Sequence, residues 1–330
     1  MEGSERKKKG ARLPGAVKNS NTSILILILI IIIIIGITAV PAFKNPDNIM
    51  NILRNGSIVG IVALGATFVL LIGQIDLSVG SILSLSAVVG GIAMGKNDVA
   101  GFIVTLAVGL GLGVLNGVIV AKAKIPSFMV TLGMMSVYSG IANIIVHGQS
   151  AYLYNAPLYQ WLCKGTLIGL PFPVILLVIL TAILAVILRF TKLGHDIYYI
   201  GANPTAGIYS GIHADRIKII MYAVSGGLAA LAGPILCAQT NRITTTIGSG
   251  YELSAISVAV LGGTILDGGK GSVVGTLIGA AIFAVLLNIL ALSGIGTYME
   301  LVLRGLILIV IVAAFERIRN GGIRCPKQKE

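Results

Sequence analysis

The chain has little charge: Asp, Glu, Lys and Arg make up 11% of its 330 residues, against roughly 25% in an ordinary soluble domain. That leaves too little polar surface to keep a folded body of this size in water, which excludes a soluble globular enzyme and a disordered chain. Cysteine is almost missing. Cys163, Cys237 and Cys325 are far apart and odd in number, so they imply neither a disulfide framework nor a metal motif. His147, His195 and His213 are equally scattered. No nucleophile–base pair and no paired carboxylates stand out, and nothing calls for a resident cofactor. The net charge of +12 would raise the question of nucleic acid in a soluble protein; here the placement of the charges points to membrane orientation instead.

What is present is apolar. Fifty-six per cent of the residues are hydrophobic, and the mean hydropathy is +0.97. A spanning helix needs ~20 apolar residues. The expectation is therefore an all-α, polytopic protein of the lipid bilayer with about ten transmembrane helices. Residues 1–20 read as a disordered basic tail, 21–316 as the membrane domain and 317–330 as a second basic tail. Ile24 to Ile35 is an unbroken run of Ile and Leu, which inserts by itself. A cleaved signal peptide is the competing reading, but the apolar stretch continues to Val40, longer than the usual ~7–15 residue core. Apolar segments then recur at 57–73, 78–95, 100–120, 127–146, 173–189, 218–238, 253–265, 272–292 and 299–315.

With the N-terminus inside, this map puts eighteen of the 24 Lys and Arg on the inner side and five on the outer, with Arg304 inside the last span. That asymmetry predicts two cytoplasmic termini. Leu253 to Ile265 is too short to cross, rising only ~20 Å as a helix, and is expected to be a half-helix or broken element. A faint repeat pairs Asp76–Ser81 with Asp267–Ser272 as D-x-x-x-G-S, and Leu64–Thr67 with Leu261–Thr264. Duplication and chance account for it about equally well. Two glycine ladders, Gly109/Gly113/Gly117 and Gly271/Gly275/Gly279, allow helix backbones to approach closely, either within the chain or along a moving or dimer seam. The segment Gly263–Ser272 fails as a phosphate-binding loop, because Gly271 follows Lys270 and Thr264 stands where the first glycine belongs. An ATP-driven process would need another polypeptide.

Several polar residues interrupt the apolar spans. Gln74, Asp76 and Ser78 separate two of them. Asp76 is either a helix cap or a pathway residue. Ser136, Ser139, Asn143 and His147 fall on one helical stripe, suited to a passing solute's hydroxyls or to interhelical bonding. Asn116 and Asn288 pose the same choice. Glu300 and Arg304, four apart, suit an intrahelical ion pair. In the loop 190–218, Asn203-Pro204 reads as an N-cap with proline at the first helical position, and Gly211 as the stop. A helix of about two turns over Pro204–Ser210 is predicted there. The loop 147–172 carries Tyr152, Tyr154, Tyr159 and Trp161, aromatic rings that suit a membrane interface or a protein contact.

Taken together, GQIDLSVGSILSLSAVVGGIAM, TLGMMSVYSGIANIIVHGQ, LGHDIYYIGANPTAGIYSGIHADRIKI and GYELSAISVAVLGGTILDGGKGSVVGTLIGA resemble the membrane subunits of bacterial ABC importers for monosaccharides, especially the ribose-type permeases. The likeness covers residues ~45–315. It implies a helical permease of the cell membrane that dimerises with itself or a similar chain. A separate ATPase subunit would drive it, and an extracytoplasmic solute-binding protein would load it. The family's loop between the sixth and seventh spans contacts the ATPase. That role carries over onto Asn203, Ala206, Ser210, Gly211 and Ile212, with Pro204 inside the same helix. Gln74 stands where many members have glycine. Relatives handle other sugars, a sugar-like signalling molecule and, more distantly, branched-chain amino acids. The rival class is an ion-coupled secondary transporter, for which Asp76 is the one strong carboxylate.

Overall fold

A computed structural model describes residues 19–95, 97–153, 156–296, 299, 301–307, 309–310 and 313, with side chains from residue 22 onward. Helix α1 is Asn19–Ala39, α2 Pro46–Leu71, α3 Val79–Met94, α4 Asp98–Ala123, α5 Ser127–Ile145, α6 Pro157–Lys164 and α7 Phe172–Phe190. Helices α8 (Lys192–Ala202) and α9 (Pro204–Tyr209) are short. They are followed by α10 (Ala214–Thr240), α11 (Tyr251–Leu261) and α12 (Val273–Leu292). Residues 301–307 are helical as well. Hydrocarbon offers no partner for a free N–H or C=O, so a chain this apolar closes its backbone bonds within helices.

Among the described residues, seven helices are long and apolar enough to cross a membrane: α1, α2, α4, α5, α7, α10 and α12. Helices α3 and α11 are apolar but shorter. Four two-residue strands qualify the all-α expectation. β1 (Ala151–Tyr152) pairs antiparallel with β4 (Arg242–Ile243), and β2 (Thr166–Leu167) with β3 (Leu170–Pro171).

Helix α2 lies at the centre, with every residue from Gly56 to Leu71 buried except Val59. Helices α10, α12 and α11 pack against it, and α4 and α3 pack on α10 and on each other. The first glycine ladder serves the seam between α4 and α10. A Cβ on Gly109, Gly113 or Gly117 would run into Ala230, Tyr222 or Ile219, and Gly226 faces Gly113 from the other side. In the second ladder Gly275 and Gly279 lie against Gly262 of the α11 end, and Gly271 lies against Thr264. Both ladders thus pack helices within this chain. Helix α1 is peripheral. Its Leu29, Ile32 and Ile33 rest on a small cluster around Phe43, Ile52 and Val285, while Ile24, Leu27, Ile30, Ile31, Ile34 and Ile35 are exposed, as a lipid-facing helix requires.

The two β pairs and α6 lie at one end of the bundle, α8 and α9 at the other. Arg54, near the start of α2, donates to the carbonyl of Cys163 in α6, whereas Leu71 at the end of α2 touches α8. Of the aromatic loop residues, Tyr159 is buried, Trp161 stacks on Phe172 at 4.4 Å between centroids, and Tyr152 lies under the guanidinium of Arg242. Tyr154 lies outside the described residues, as does Glu300. Arg304 donates to Ser254 Oγ on α11 at 3.4 Å.

Candidate functional site

Two breaks separate consecutive apolar helices, α2 from α3 and α11 from α12, and both begin the same way. Helix α2 closes with Gly73 N–H donating to the Leu70 carbonyl and Gln74 N–H to that of Val69. Helix α11 closes with Gly263 N–H on Val260 and Thr264 N–H on Ala259. In each, a glycine with positive φ ends the helix, +67° at Gly73 and +90° at Gly263. A serine then starts the next helix: Ser78 precedes α3 and Ser272 precedes α12. The structural correspondence is therefore Gly73 with Gly263 and Ser78 with Ser272. The D-x-x-x-G-S match pairs unlike residues, because Asp76 is buried and Asp267 is exposed.

Asp76 is the hub of the first break. Its Oδ1 accepts from Ser78 N–H at 3.0 Å and from Ser78 Oγ at 2.6 Å, and its Oδ2 accepts from Ser225 Oγ of α10 at 3.0 Å. Asn116 Nδ2 of α4 donates to Ser78 Oγ at 2.7 Å, and Tyr138 of α5 donates to Asn116 Oδ1 at 2.8 Å. The backbone of Ile75 is held from both sides. Its N–H donates to Ser127 Oγ at 3.1 Å, and its carbonyl accepts from the Tyr222 hydroxyl at 3.2 Å. Three helices, α4, α5 and α10, thus satisfy an unwound segment that hydrocarbon would not tolerate. Asp76 accepts from the N–H of Ser78, the residue that precedes α3, and so forms an Asx turn at the helix entrance.

The sequence-selected polar residues divide into three groups. Asp76, Ser78 and Asn116 meet in this buried network, and half-buried Gln74 borders it, donating to the Gly73 carbonyl. Asn288 is elsewhere; it and Asn48 exchange two amide hydrogen bonds of 2.8 and 3.0 Å, tying α12 to the start of α2. Ser136 and Asn143 are exposed on α5 and Ser139 is half-buried, and Asn143 Nδ2 donates to the Ser139 carbonyl. Ser127, Tyr138, Tyr222 and Ser225 carry no sequence signal of their own, because their partners are distant in the chain.

The second break joins the first. Gly269 N–H donates to the Leu71 carbonyl, left over at the end of α2, at 2.8 Å. The C-terminus of α8 lies on that bond. A Cβ on Gly201 would collide with both the Leu71 oxygen and the Gly269 nitrogen, and Tyr198 of α8 donates to the Gly271 carbonyl at 2.9 Å. The sequence predicts one short helix in 190–218, and α8 is a second.

That short helix is present as α9. Asn203 Oδ1 accepts from Ala206 N–H at 3.0 Å, Pro204 occupies the first turn, Gly211 has φ +82°, and Ile212 N–H closes on the Gly207 carbonyl. Ile208 and Tyr209 are exposed, Tyr209 at 88%. Between α8, α9 and the first turns of α10 runs a groove of about 680 Å3, bordered by Lys192, Asp196, Asn203, Ala206, His213 and Arg216.

A bundle with seven helices long and apolar enough to span, among the described residues, is that of a multi-pass membrane protein. Residues 48–312 match the family described as the permease component of branched-chain amino acid transport systems, and the chain belongs to that family. It is similar to the ribose import permease RbsC of Haemophilus influenzae, 41% identical over 280 residues, which are 83% of this chain and 86% of that one. The RbsC of Bacillus subtilis is 39% identical over 275 residues, 82% and 85% of the two chains. The D-allose permease AlsC of Escherichia coli K12 is 33% identical over 274 residues, 82% and 84%. No solved structure matches the chain.

Proposed function

We propose that this chain forms the translocation pathway of an ABC importer for ribose or a sugar close to it. A separate ATPase would drive it and an extracytoplasmic solute-binding protein would load it, with two permease chains side by side. The observation that carries the sugar is the higher identity to two ribose permeases from distant bacteria, 41% and 39%, than to the allose permease at 33%. The chain, co-expressed with its ATPase and binding protein in cells lacking ribose uptake, should restore accumulation of labelled ribose in a vanadate-sensitive manner. Uptake that unlabelled leucine blocks and ribose leaves untouched would move the assignment to amino acids. Vanadate-resistant, ionophore-sensitive uptake would make it an ion-coupled carrier.

In this reading the chain crosses ten times with both termini inside. Helices α3 and α11 join the seven long ones, and the tenth span lies at 299–315, only part of which is described. The α8–α9 end is cytoplasmic and the β end faces out. The distribution of Lys and Arg supports this. Cys163 and Cys237 are buried, and burial pushes the Cys163 thiol above its ordinary range, so the native background is silent once Cys325 is replaced. An impermeant maleimide applied outside should label Ile168→Cys, at the fully exposed tip between β2 and β3, and miss His213→Cys until the membrane is opened. Labelling in the opposite order would invert the topology.

Helix α9 is the proposed contact with the ATPase, with Asn203, Pro204, Ala206, Ser210, Gly211 and Ile212 fixing its shape. A Cβ on Gly211 would meet nothing within 4 Å, so substitution there strains φ without creating a clash. Gly211→Val should cost on the order of 1–2 kcal/mol locally and misplace the exit of α9. The expected result is an assembled complex whose ATPase activity no longer drives uptake. Gly211→Asn, which tolerates that φ, should recover most of the coupling. Normal coupling in both would make the loop a plain connector.

A further inference from the structure

Between β4 and α11 the chain leaves the bundle's outer end and dips into it without forming a helix. Ile243 fills the space beside Gly91 of α3. Five residues later, Gly248 N–H donates to Ser84 Oγ at 2.9 Å, and its backbone lies on that of Gly80. Along α3, Gly91 to Ser84 is a descent of ~10 Å, and Ser84 lies ~15 Å below the helix end at Met94. That is half of the ~30 Å hydrocarbon core. This descent explains the short span at 251–261: α11 begins at mid-depth because residues 244–250 have already covered the outer half.

The descending segment is polar. It reads Thr244-Thr245-Thr246-Ile247-Gly248-Ser249-Gly250, followed by Tyr251-Glu252. Thr246 and Ser249 are exposed, and Thr244, Thr245 and Glu252 are half-buried. Unwound backbone bearing exposed hydroxyls at this depth must face water or protein rather than lipid. The face continues onto α5, where Thr245 Oγ1 donates to Asn143 Oδ1 at 2.9 Å. At the lower end Glu252 Oε1 accepts from Gly250 N–H at 3.1 Å, and Oε2 occupies the space beside Gly80, two residues beyond the Ser78 cap.

We propose that residues 244–250 line the outer half of the sugar's path. The hydroxyls of Thr246 and Ser249 exchange hydrogen bonds with the sugar's hydroxyls, and the Glu252 carboxylate receives it above the first break. A hydroxyl both donates and accepts, so a ladder of them passes a polyol along without holding it, as conduction requires. This rests on the reading of the chain as a monosaccharide permease.

The test uses the assembled transporter with Cys325→Ser. A small charged methanethiosulfonate added from outside should modify Thr246→Cys and Ser249→Cys, and the modification should block ribose uptake. Ribose-loaded binding protein should slow both reactions severalfold while leaving Ile168→Cys unaffected. The pair Thr246→Val and Ser249→Ala should lower maximal uptake about tenfold for the lost hydrogen bonds, with co-purification of the ATPase unchanged. Cysteines at both positions that stay unmodified, or a double variant that transports like the wild type, would overturn the proposal. A wild-type complex that takes up no ribose would instead overturn the choice of sugar, and the thiol reactions would still decide whether the segment borders water.

Discussion

Asp76→Leu should abolish uptake and lower the melting temperature of the detergent-solubilised complex, while Asp76→Asn should keep uptake within a fewfold of wild type. Leucine matches the carboxylate in size but accepts nothing. It leaves the Ser78 N–H and the hydroxyls of Ser78 and Ser225 without their acceptor in the centre of the bundle. Each orphaned buried group costs about 1–3 kcal/mol, and three together exceed what a single span's packing absorbs. Asparagine retains an oxygen for the Ser78 N–H, and its amide can donate to Ser225. If both variants lose uptake equally in complexes that melt like the wild type, the carboxylate's charge acts on the solute and its contacts with the two serines are secondary.

Gly201→Ala should reduce uptake at least tenfold, because one methyl group would overlap the hydrogen bond that joins the two breaks. Neither the Leu71 carbonyl nor the Gly269 amide is a flexible side-chain end, so backbone must move, at a cost of about 1–3 kcal/mol. The appropriate control is Gly111→Ala in α4, where a Cβ meets nothing within 4 Å and the change should be neutral or slightly stabilising. The readout is uptake against the amount of assembled complex, from the same membranes. Equal loss in both variants would mean that any added methyl group disturbs insertion. Full activity in Gly201→Ala would show that α8 rests on the breaks without bearing on them.

Local signals were legible in the sequence and long-range ones were not. The spans followed from apolar length, because in lipid the backbone has little alternative to a helix. Helix α9 followed from Asn203-Pro204 and Gly211, whose chemistry acts within a few residues. The short eleventh helix was visible as a length deficit, but its cause was not. Thr244–Gly250 reads as an ordinary polar loop until α3 is placed beside it. A local bond from Asp76 is foreseeable and is present to Ser78, whereas Ser225, Asn116 and Tyr138 of the same network lie on other helices, and no periodicity brings them together. Helix α8 was missed because its Gly194, His195 and Gly201 weaken its helical propensity. Its own cap, Thr191 Oγ1 accepting from Gly194 N–H, and its packing against the breaks hold it. The D-x-x-x-G-S match pairs aspartates in unlike surroundings, Asp76 buried and Asp267 exposed.

The bond between Gly269 and Leu71 also bears on how such a protein can change shape. With it in place, α2 and the α11–α12 break cannot splay apart at the α8 end without leaving an amide and a carbonyl unpaired in an apolar interior. At the same time, the interlocked glycines of α4 and α10 leave that seam no room to slide. The chain is thus fastened along both of these lines. A displacement of α9, whose Gly207 lies against Ile200 of α8, would therefore carry α8 and both breaks along together.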